Sequence, residues 1–568
     1  MKSQDMIDSR HDSERRQRGL SNAIPFNLPP SRGLNDAANA WRCIADIRSM
    51  ITASAERFAS RPALSLGMRV YTYAELCYTA NRLASLLTEA HGGTPRRVGI
   101  LASHSETSYA GVMACLYAGS TFVPLNPRFP IERTRNMCEQ ADLDALLVDP
   151  ESLSLLSALL PRLRRVPTII IPETDTQLSM NVPDGCRIFT QRDLGVAQAM
   201  VHVPSISGAD TAYLLFTSGS TGSPKGVPIT YANLRAFLGF MSTRYRLTPD
   251  DRMTQTFDQT FDLSIFDLLM AWTSGACVYS IPPLELFAPI NFVNRHQITL
   301  WFSVPSVASR LLKRGALRSG SMPSLRWSLF CGEGLPSVTA EAWQSAAPQS
   351  ELDNLYGPTE LTIACSAYRW NPESSPADCI NGLVPIGEMF SDLSYVIVND
   401  QFAEVEAGEV GELCVTGHQM FSGYWRAPEL SMDCFLHRKV SDGGAVKYYR
   451  TGDLVSRLGT NLVYRGRKDT QVKISGYRIE LGEIEAALRR AGCVEAAVLA
   501  FPAEYPEFMV AFVSGNNDTD AMFKSLREYL PSYMWPKSIV PMNYLPLNSN
   551  MKIDRANLRN IVINAINQ

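Results

Sequence analysis

The sequence lacks the cysteine patterns of small metal and redox proteins. Its 12 cysteines are scattered, and the closest pair, Cys365 and Cys379, lies 14 residues apart, so no CxxC zinc or dithiol motif occurs. Free thiols buried in a reducing compartment are the expected state of these side chains.

An excess of positive charge is also absent. Lys and Arg number 53 against 56 Asp and Glu, which gives a net charge of −3, so no general field exists to hold a nucleic acid. No run of 18 apolar residues occurs, and no apolar stretch of signal-peptide length follows the charged N-terminus. No repeat of 20–50 residues indicates a solenoid or a propeller. These absences predict a cytoplasmic protein that does not insert into membranes.

What the chain does have is length and an ordinary globular composition. With 568 residues, 45% hydrophobic and 19% charged, it is long enough for three or four domains, or for two if one is large. Residues 1–40 are polar and then rich in Pro and Gly, which predicts a flexible N-terminal tail. A docking arm for a partner is the alternative for this tail.

From Trp41 onward, short β-rich runs alternate with stretches of helical spacing. Four such runs are RRVGILAS (96–103), GSTFVPLN (119–126), DALLVD (144–149) and PTIIIP (167–172), and the stretch from Ser108 to Tyr117 has helical spacing. Alternation of this kind favours parallel βαβ units and therefore an α/β fold class.

The most informative segment is YLLFTSGSTGSPKGV, from Tyr213 to Val227. An apolar strand candidate, Tyr213 to Phe216, leads into a loop with three kinds of anion-binding group: glycines that let backbone N–H groups approach, hydroxyls and a lysine. The loop is predicted to bind phosphate through Thr217, Ser218, Gly219, Ser220, Thr221, Gly222 and Lys225. It lacks the GxxxxGK[ST] spacing of the Walker loop.

This loop resembles the signature of the adenylate-forming (AMP-binding) superfamily, which includes adenylation domains of non-ribosomal peptide synthetases, acyl-CoA synthetases and luciferases. Further segments follow in the family's order over residues 45–560: YTYAEL (71–76), LYAGSTFVPLNPRFPIER (116–133), FDLS (261–264), NLYGPTE (354–360), GELCVTG (411–417), YRTGDL (449–454), YRGRKDTQVKISGYRIELGEIE (464–485) and LNSNMKIDR (547–555). Among family members, the resemblance is to stand-alone amino-acid adenylation enzymes such as D-alanine or glycine:carrier protein ligases.

The resemblance implies a two-domain architecture. Residues 41–468 would form a large N-terminal adenylation domain, with parallel β-sheets, packed helices and a β-barrel-like subdomain. Residues 469–568 would form a small, mobile α+β domain, with Asp469 as its hinge. Rotation about Asp469 would exchange Lys552 for the ISGYRIE segment (474–480) between two half-reactions.

The resemblance also implies ATP and Mg²⁺ as cofactors and assigns roles in the nucleotide site. Tyr356 resembles the residue that stacks on adenine, Thr359 an α-phosphate donor and Glu360 a Mg²⁺ ligand, while Asp453 and Arg467 resemble the residues that bind the ribose hydroxyls. Lys552 resembles the lysine that bridges the carboxylate and the α-phosphate during adenylation. Nucleotide-binding positions are also expected at Gly332, Glu333, Asn354 and Gly357.

The substrate predicted by the resemblance is a small amino acid, glycine first and alanine second. Asp262 of FDLS stands where amino-acid-activating members have an aspartate that pairs with the α-ammonium group. The family's pocket positions correspond to Asp262, Leu263, Phe266, Phe302, Leu329, Cys331, Leu355, Ile363, Ala364 and Lys552. Apart from two charged residues this lining is apolar, and the two phenylalanines favour a small cavity.

The expected acceptor is the phosphopantetheine thiol of a separate carrier protein. The chain has no GGxS attachment motif and no HHxxxDG condensation motif, and only 14 residues follow Asp554, so a free-standing, monomeric enzyme is predicted. Peptide natural products and cell-envelope lipids, such as lipid A, both remain possible fates of the amino acid. Two alternatives stay open: a CoA-dependent ligase for a small non-amino acid, and a catalytically inactive binding module.

Overall fold

A computed structural model describes residues 46–568 except 176–182, 184, 201–203, 220–222, 440–443, 504, 516–517, 549–551 and 567–568. The N-terminal tail predicted for residues 1–40 therefore lies outside the described residues, as do Ser220, Thr221 and Gly222 of the predicted phosphate loop.

The strands and helices are numbered here in chain order. The strands are β1 Pro62–Leu66, β2 Arg69–Thr72, β3 Arg97–Leu101, β4 Thr121–Leu125, β5 Ala145–Val148, β6 Thr168–Ile171, β7 Ile188–Thr190, β8 Thr211–Thr217, β9 Lys225–Thr230, β10 Arg252–Gln255, β11 Cys277–Ser280, β12 Leu300–Ser303, β13 Trp327–Phe330, β14 Glu351–Tyr356, β15 Ser366–Arg369, β16 Glu388–Met389, β17 Leu393–Val398, β18 Gly411–Gly417, β19 Phe435–Lys439, β20 Ala445–Leu458, β21 Asn461–Arg467, β22 Gln471–Ile474, β23 Tyr477–Glu480, β24 Glu495–Phe501, β25 Phe508–Ser514 and β26 Ser538–Met542. The α-helices are α1 Ile47–Arg57, α2 Tyr73–His91, α3 Glu106–Ala118, α4 Ile131–Ala141, α5 Leu153–Leu159, α6 Gln191–Val196, α7 Tyr231–Tyr245, α8 Leu263–Ser274, α9 Pro289–His296, α10 Pro305–Lys313, α11 Ser337–Ala346, α12 Ser375–Asp378, α13 Pro428–Asp433, α14 Leu481–Arg490, α15 Thr519–Tyr529 and α16 Arg555–Ile566.

Local sequence signals account for where individual elements begin and end. Helix α2 starts behind a capping box, in which the Thr72 hydroxyl accepts from the Glu75 backbone N–H and the Glu75 carboxylate accepts from the Thr72 backbone N–H. It ends at Gly92, whose φ of 80° is a left-handed conformation that suits glycine. Strands β3 and β4 are buried at every residue, as expected for strands covered on both faces.

Two large sheets dominate the first three quarters of the chain. One sheet has the order β7-β6-β5-β3-β4-β8-β9 and is parallel except for the β8/β9 pair. The other has the order β16-β15-β14-β13-β12-β10-β11-β1-β2, with a parallel centre and antiparallel edges. The four β-rich runs identified in the sequence are strands β3 to β6, and the predicted helix is α3. The expected α/β fold with parallel sheets is thus confirmed.

The remaining strands form smaller units. Strands β17 to β21 make an antiparallel five-stranded sheet where the barrel-like subdomain is expected. After it come the two-stranded hairpin β22-β23, which we call the 471–480 hairpin, and a three-stranded sheet β24-β25-β26. The C-terminal segment packs around its own apolar clusters, which draw only on residues from Val472 onward. A small C-terminal domain is therefore present.

Two further expectations concern the cysteines and the absence of membrane-spanning helices. Every cysteine in the described residues is free, and none is exposed. None of the described helices is long and apolar enough to cross a membrane.

Candidate active site

A cavity lies where the large N-terminal part of the chain meets the 471–480 hairpin. Its lining comprises Phe129, Leu215, Phe216, Thr217, Ser218, Thr260, Phe261, Asp262, Leu263, Cys331, Gly332, Gly357, Pro358, Thr359, Ile363, Asp453, Arg467, Gln471, Lys473, Gly476, Tyr477, Arg478 and Tyr533. The cavity holds about 90 Å³, well below the roughly 300–1,000 Å³ of typical ligand pockets. The hairpin thus closes over residues that the sequence assigns to nucleotide and substrate.

The described part of the predicted phosphate loop faces the C-terminal domain. The Ser218 hydroxyl donates to the backbone carbonyl of Arg478 over 2.7 Å. The backbone N–H of Gly219 donates to the Glu483 carboxylate over 3.3 Å, and the Lys225 ammonium lies 3.5 Å from the Glu480 carboxylate. A carboxylate therefore already lies near each of the two donors, Gly219 and Lys225, that would grip phosphate.

The residues predicted to bind adenosine are joined to one another. The Tyr356 hydroxyl donates to Asp453 over 2.5 Å, and the Arg467 guanidinium lies 2.6 Å from the other Asp453 oxygen. Strand pairing sets this arrangement, because Asp453 on β20 and Arg467 on β21 are register partners. A fixed carboxylate beside a guanidinium can accept from two adjacent hydroxyls, as binding of a ribose requires.

Glu360 is fully buried and has both carboxylate oxygens engaged. The Tyr424 hydroxyl donates to Oε1 over 2.8 Å and the Arg478 guanidinium donates to Oε2 over 2.7 Å. Burial by itself would raise the pKa of Glu360, but the charges of Arg478 and Lys225 and the Tyr424 hydrogen bond outweigh it and lower the pKa to about 2.

This donor set fits Mg²⁺ under one condition. No cluster of three or more His, Cys, Asp or Glu that could hold a metal occurs in the described residues. A single carboxylate suffices for Mg²⁺ that is also held by substrate phosphates, and the Glu360 carboxylate is ionised. Because Arg478 already takes Oε2, the carboxylate becomes free for a cation only when the hairpin withdraws.

The turn that follows Glu360 is strained and is held by Gln419. Thr362 and Ile363 have φ values of 58° and 74°, which are unfavourable for β-branched residues. The buried side-chain amide of Gln419 donates to the backbone carbonyls of Leu361 and Ala364 over 3.1 and 2.8 Å. The Thr362 hydroxyl donates to the backbone carbonyl of Gln419 over 2.6 Å. These bonds hold Ile363 in a conformation that places it on the cavity wall.

Gly357 makes the same turn possible. A Cβ at this position would lie 2.5 Å from the Ala364 Cα and 2.9 Å from the Cys365 backbone nitrogen. Because backbone atoms cannot move aside as a flexible side chain can, only glycine fits here.

Asp262 lies at the cavity without a full set of partners. It precedes helix α8, is 8% exposed, and its Oδ2 has no hydrogen-bond partner among the described residues. Burial raises its pKa to about 6, with a contribution from nearby Glu360, while a hydrogen bond from the Thr359 side chain opposes the shift. An ammonium group at this carboxylate would offset the cost of its ionisation.

The structure brings only part of the predicted substrate pocket to the cavity. Leu263, Cys331 and Ile363 line it together with Asp262. Five other predicted residues lie in the same apolar core without lining the cavity: Phe266, Phe302, Leu329, Leu355 and Ala364. Phe266 and Phe302 contact each other edge to face, with ring centroids 5.1 Å apart.

Two predicted nucleotide-binding residues, Glu333 and Asn354, form hydrogen bonds within the protein. The Glu333 carboxylate accepts from the backbone N–H groups of Ser306 and Gly476, over 3.0 and 2.8 Å. The Asn354 amide donates to the Pro385 carbonyl over 2.8 Å.

Lys552 is not at the cavity in this arrangement. Its side chain is exposed, and its backbone N–H donates to the Asn548 side chain over 3.1 Å. Asp469 lies between β21 and β22, where it binds the Arg467 guanidinium over 2.6 and 2.7 Å and accepts from the Gln471 backbone N–H. The 471–480 hairpin, and not Lys552, thus forms part of the cavity wall.

Several residues at the site were not singled out from the sequence. Arg478 lies within the ISGYRIE segment, but no motif links it to its partner Glu360, which lies 118 residues earlier. Tyr477 contacts Phe261 edge to face at 4.9 Å and stacks on Tyr533 at 3.8 Å. Tyr424 carried no sequence signal.

Comparison with known proteins agrees with this geometry. A family model described as AMP-binding enzyme matches residues 51–425. An L-proline–[L-prolyl-carrier protein] ligase of Streptomyces coelicolor is 34% identical over 517 residues, which cover 87% of this chain and 93% of that protein. Tyrocidine synthase 3 of Brevibacillus parabrevis is 30% identical over 92% of this chain, but the match spans only 8% of that much longer protein.

Solved structures extend the similarity to the fold. The Vibrio cholerae adenylation domain AlmE, in complex with glycyl-adenosine-5'-phosphate, has a TM-score of 0.81 and 31% identity, with 94% of this chain and 100% of that chain covered. IdnL7 has a TM-score of 0.69 and 35% identity, with 92% and 99% covered. The chain therefore belongs to the AMP-binding enzyme family of adenylate-forming ligases.

Proposed function

We propose that this protein activates a small amino acid with ATP and then transfers it to the phosphopantetheine thiol of a carrier protein. In the first half-reaction, an oxygen of the amino-acid carboxylate bonds to the α-phosphorus of ATP while the α–β phosphoanhydride breaks and pyrophosphate leaves. In the second, the thiolate sulfur attacks the carbonyl carbon and AMP leaves. The observation that carries the proposal is the buried, incompletely paired Asp262 beside the adenylation residues.

Asp262 supports an amino acid over other carboxylic acids. Its raised pKa reflects the cost of burying a charged carboxylate, which the Thr359 hydrogen bond and the charge of Lys473 offset only in part. An α-ammonium at Oδ2 would supply a counter-ion and form a charge-assisted hydrogen bond worth about 1.5–3 kcal/mol. A non-amino acid would leave this carboxylate unpaired.

The nucleotide half of the site supports adenylation. Asp453 with Arg467 suits the ribose hydroxyls, and Lys225 with the Gly219 backbone N–H suits phosphate oxygens. Glu360 would hold Mg²⁺, which neutralises charge on the phosphates when bound. The charge that develops at the α-phosphate would thus be met by these groups once the hairpin withdraws from them.

Glycine is the first candidate substrate and alanine the second. The predicted pocket residues that line the cavity beside Asp262, namely Leu263, Cys331 and Ile363, are apolar, and the fully buried Phe266 and Phe302 belong to the same apolar core. One similar structure contains a glycyl adenylate, whereas one similar protein is named for proline. Because one methylene is worth only about 1–3 kcal/mol, substrate screening must decide among small amino acids.

The carrier-protein acceptor draws support from the name of the proline ligase, which acts on a prolyl-carrier protein. The docked hairpin is the orientation we assign to transfer, since it excludes Lys552 from the cavity. We assign adenylation to a second orientation, reached by rotation at Asp469, in which Lys552 bridges carboxylate and α-phosphate.

The test is ATP–pyrophosphate exchange with every proteinogenic amino acid, D-alanine, β-alanine and acetate. We expect glycine to support exchange about 10- to 150-fold better than acetate, the range that the Asp262 hydrogen bond allows. Asp262→Asn should remove most of that preference.

Asp267→Asn is the matched control. Asp267 is fully buried within helix α8, the helix that Asp262 precedes, and it does not line the cavity, so the substitution changes a neighbouring buried carboxyl without removing a group from the site. Equal rates with glycine and acetate would contradict the amino-acid assignment. A large aromatic amino acid that outperforms glycine would contradict only the small-substrate assignment.

A further inference from the structure

Three charged or polar contacts link the segment 478–483 of the C-terminal domain to the predicted magnesium and phosphate ligands. Arg478 contacts Glu360 over 2.7 Å, Glu480 lies 3.5 Å from Lys225, and Glu483 accepts from the Gly219 backbone N–H over 3.3 Å. In each contact the C-terminal side chain has the same sign of charge as the predicted ligand: positive like Mg²⁺ at Glu360, and negative like phosphate at Lys225 and Gly219.

Other contacts fix the two carboxylates, Glu480 and Glu483, in place. Glu483 also forms a fully buried ion pair with Arg133 over 2.7 Å, with 1% and 3% of the two side chains exposed. The Gln471 amide donates to Glu480 over 2.7 Å. The carboxylates are thus held in position by both domains rather than lying there as mobile surface charges.

We propose that Arg478, Glu480 and Glu483 substitute for magnesium pyrophosphate when the hairpin docks, and so act as positioning residues for the transfer half-reaction. The two carboxylates take the places of phosphate oxygens at Lys225 and Gly219. The guanidinium takes the place of the cation at Glu360. This inference rests on the proposed function, because that function makes pyrophosphate the product released before transfer.

The electrostatics make the two occupants mutually exclusive. Withdrawing the hairpin without a replacement would take Arg478 away from Glu360, which is 0% exposed, and Glu480 away from Lys225, whose side chain is 13% exposed. Buried charges that lose their partner are costly. Magnesium pyrophosphate would remove that cost, whereas its departure would restore it, so product release itself would favour the transfer orientation.

A purely steric account of hairpin docking makes a different prediction. Tyr477 stacks on Tyr533 and contacts Phe261 edge to face, and the Gly476 backbone N–H donates to Glu333. If these contacts alone held the hairpin, neither pyrophosphate nor the charge on Arg478 would change its position.

The experiment is amide hydrogen exchange of the turn 474–477 in the full chain, without amino acid or carrier protein. We expect MgCl₂ with pyrophosphate to accelerate exchange about tenfold or more, because the Gly476 N–H loses its bond to Glu333. MgCl₂ alone and sodium sulfate at equal ionic strength should leave exchange unchanged. No response to magnesium pyrophosphate, or an equal response to sulfate, would overturn the proposal.

A second arm tests the charge without any ligand. Arg478→Gln should accelerate exchange of the turn by itself, and Arg478→Lys should restore much of the protection. Arg489→Gln removes the same charge from an exposed position on α14 and should change nothing. Exchange in β24 and β25 reports whether each variant is folded. If hydrogen exchange of the turn is unchanged in a folded Arg478→Gln variant, the proposal that these side chains replace magnesium pyrophosphate is refuted.

Failure here is distinguishable from failure of the proposed function. If glycine supports ATP–pyrophosphate exchange but hydrogen exchange of the turn does not respond to magnesium pyrophosphate, only the proposed replacement of magnesium pyrophosphate by the three side chains is wrong. If no acid supports ATP–pyrophosphate exchange but hydrogen exchange of the turn responds to magnesium pyrophosphate, only the amino-acid function is wrong.

Discussion

Replacement of Gly476 by alanine should separate the two half-reactions. Gly476 forms the tip of the 471–480 hairpin with φ of 82°, packed against Val304 of the large domain. An added Cβ would overlap Val304 Cγ1 and lie 3.3 Å from Val304 Cβ. The contact exists only when the hairpin is docked.

Two costs follow from this geometry, and only one depends on orientation. Alanine in a left-handed conformation costs about 1–2 kcal/mol, but the hairpin carries that cost in any orientation. Overlap with Val304 costs about 1–3 kcal/mol in the docked state alone. The docked population, and with it transfer, should therefore fall about 5- to 150-fold relative to adenylation.

The assay measures the two half-reactions separately: ATP–pyrophosphate exchange for adenylation, and acylation of a pantetheine thiol from preformed aminoacyl-adenylate for transfer. Adding Val304→Ala to Gly476→Ala should restore part of the transfer rate, since it removes the overlapping methyl groups. An equal loss of both half-reactions in a protein that still melts cooperatively would refute the reasoning, and so would undiminished transfer.

Three further predictions address single residues. Because the pKa of Asp262 is raised to about 6, KM for glycine should rise about tenfold per pH unit below pH 6, whereas KM for acetate should not; a flat glycine profile from pH 5 to 7 would contradict pairing with Asp262. Lys552→Ala should slow adenylate formation at least about 100-fold, as the loss of a transition-state donor does, while transfer from preformed adenylate survives; equal losses would argue against two orientations. Gln419→Ala leaves buried carbonyls unpaired, at about 1–3 kcal/mol each, so the melting temperature should fall and KM for glycine should rise more than KM for ATP; an equal rise would show that Gln419 does not hold Ile363 in place.

Local patterns predicted the elements of the first sheet well. The runs that became β3 to β6 are short, apolar and separated by helical stretches, so burial on both faces and the chain order together specify parallel strands. The predicted phosphate loop also stands out in the sequence, because its glycines, hydroxyls and lysine lie close together between apolar runs. In these cases the physical cause lies within a few residues of its effect.

The contacts that define the closed site could not be predicted in this way. Arg478 and Glu360 lie 118 residues apart, and Gln419 lies 55 residues from Ala364. Their pairing depends on how separate sheets and domains pack, which spacing in the sequence does not encode. The motifs identify the residues, but they do not specify the orientation that the C-terminal domain takes.

The turn after Glu360 could not be predicted for a different reason, because local backbone preferences disfavour its conformation. Thr362 and Ile363 are β-branched and disfavour positive φ, yet both adopt it. The strain is tolerated because the Gln419 amide satisfies two carbonyls of the turn and Gly357 leaves room for its backbone. Since this turn carries both Glu360 and Ile363, relaxing it would move the predicted metal ligand and the substrate wall together. Violations of local preference are expected at functional sites, which agrees with the role proposed for this turn in holding the metal ion and the amino acid next to each other.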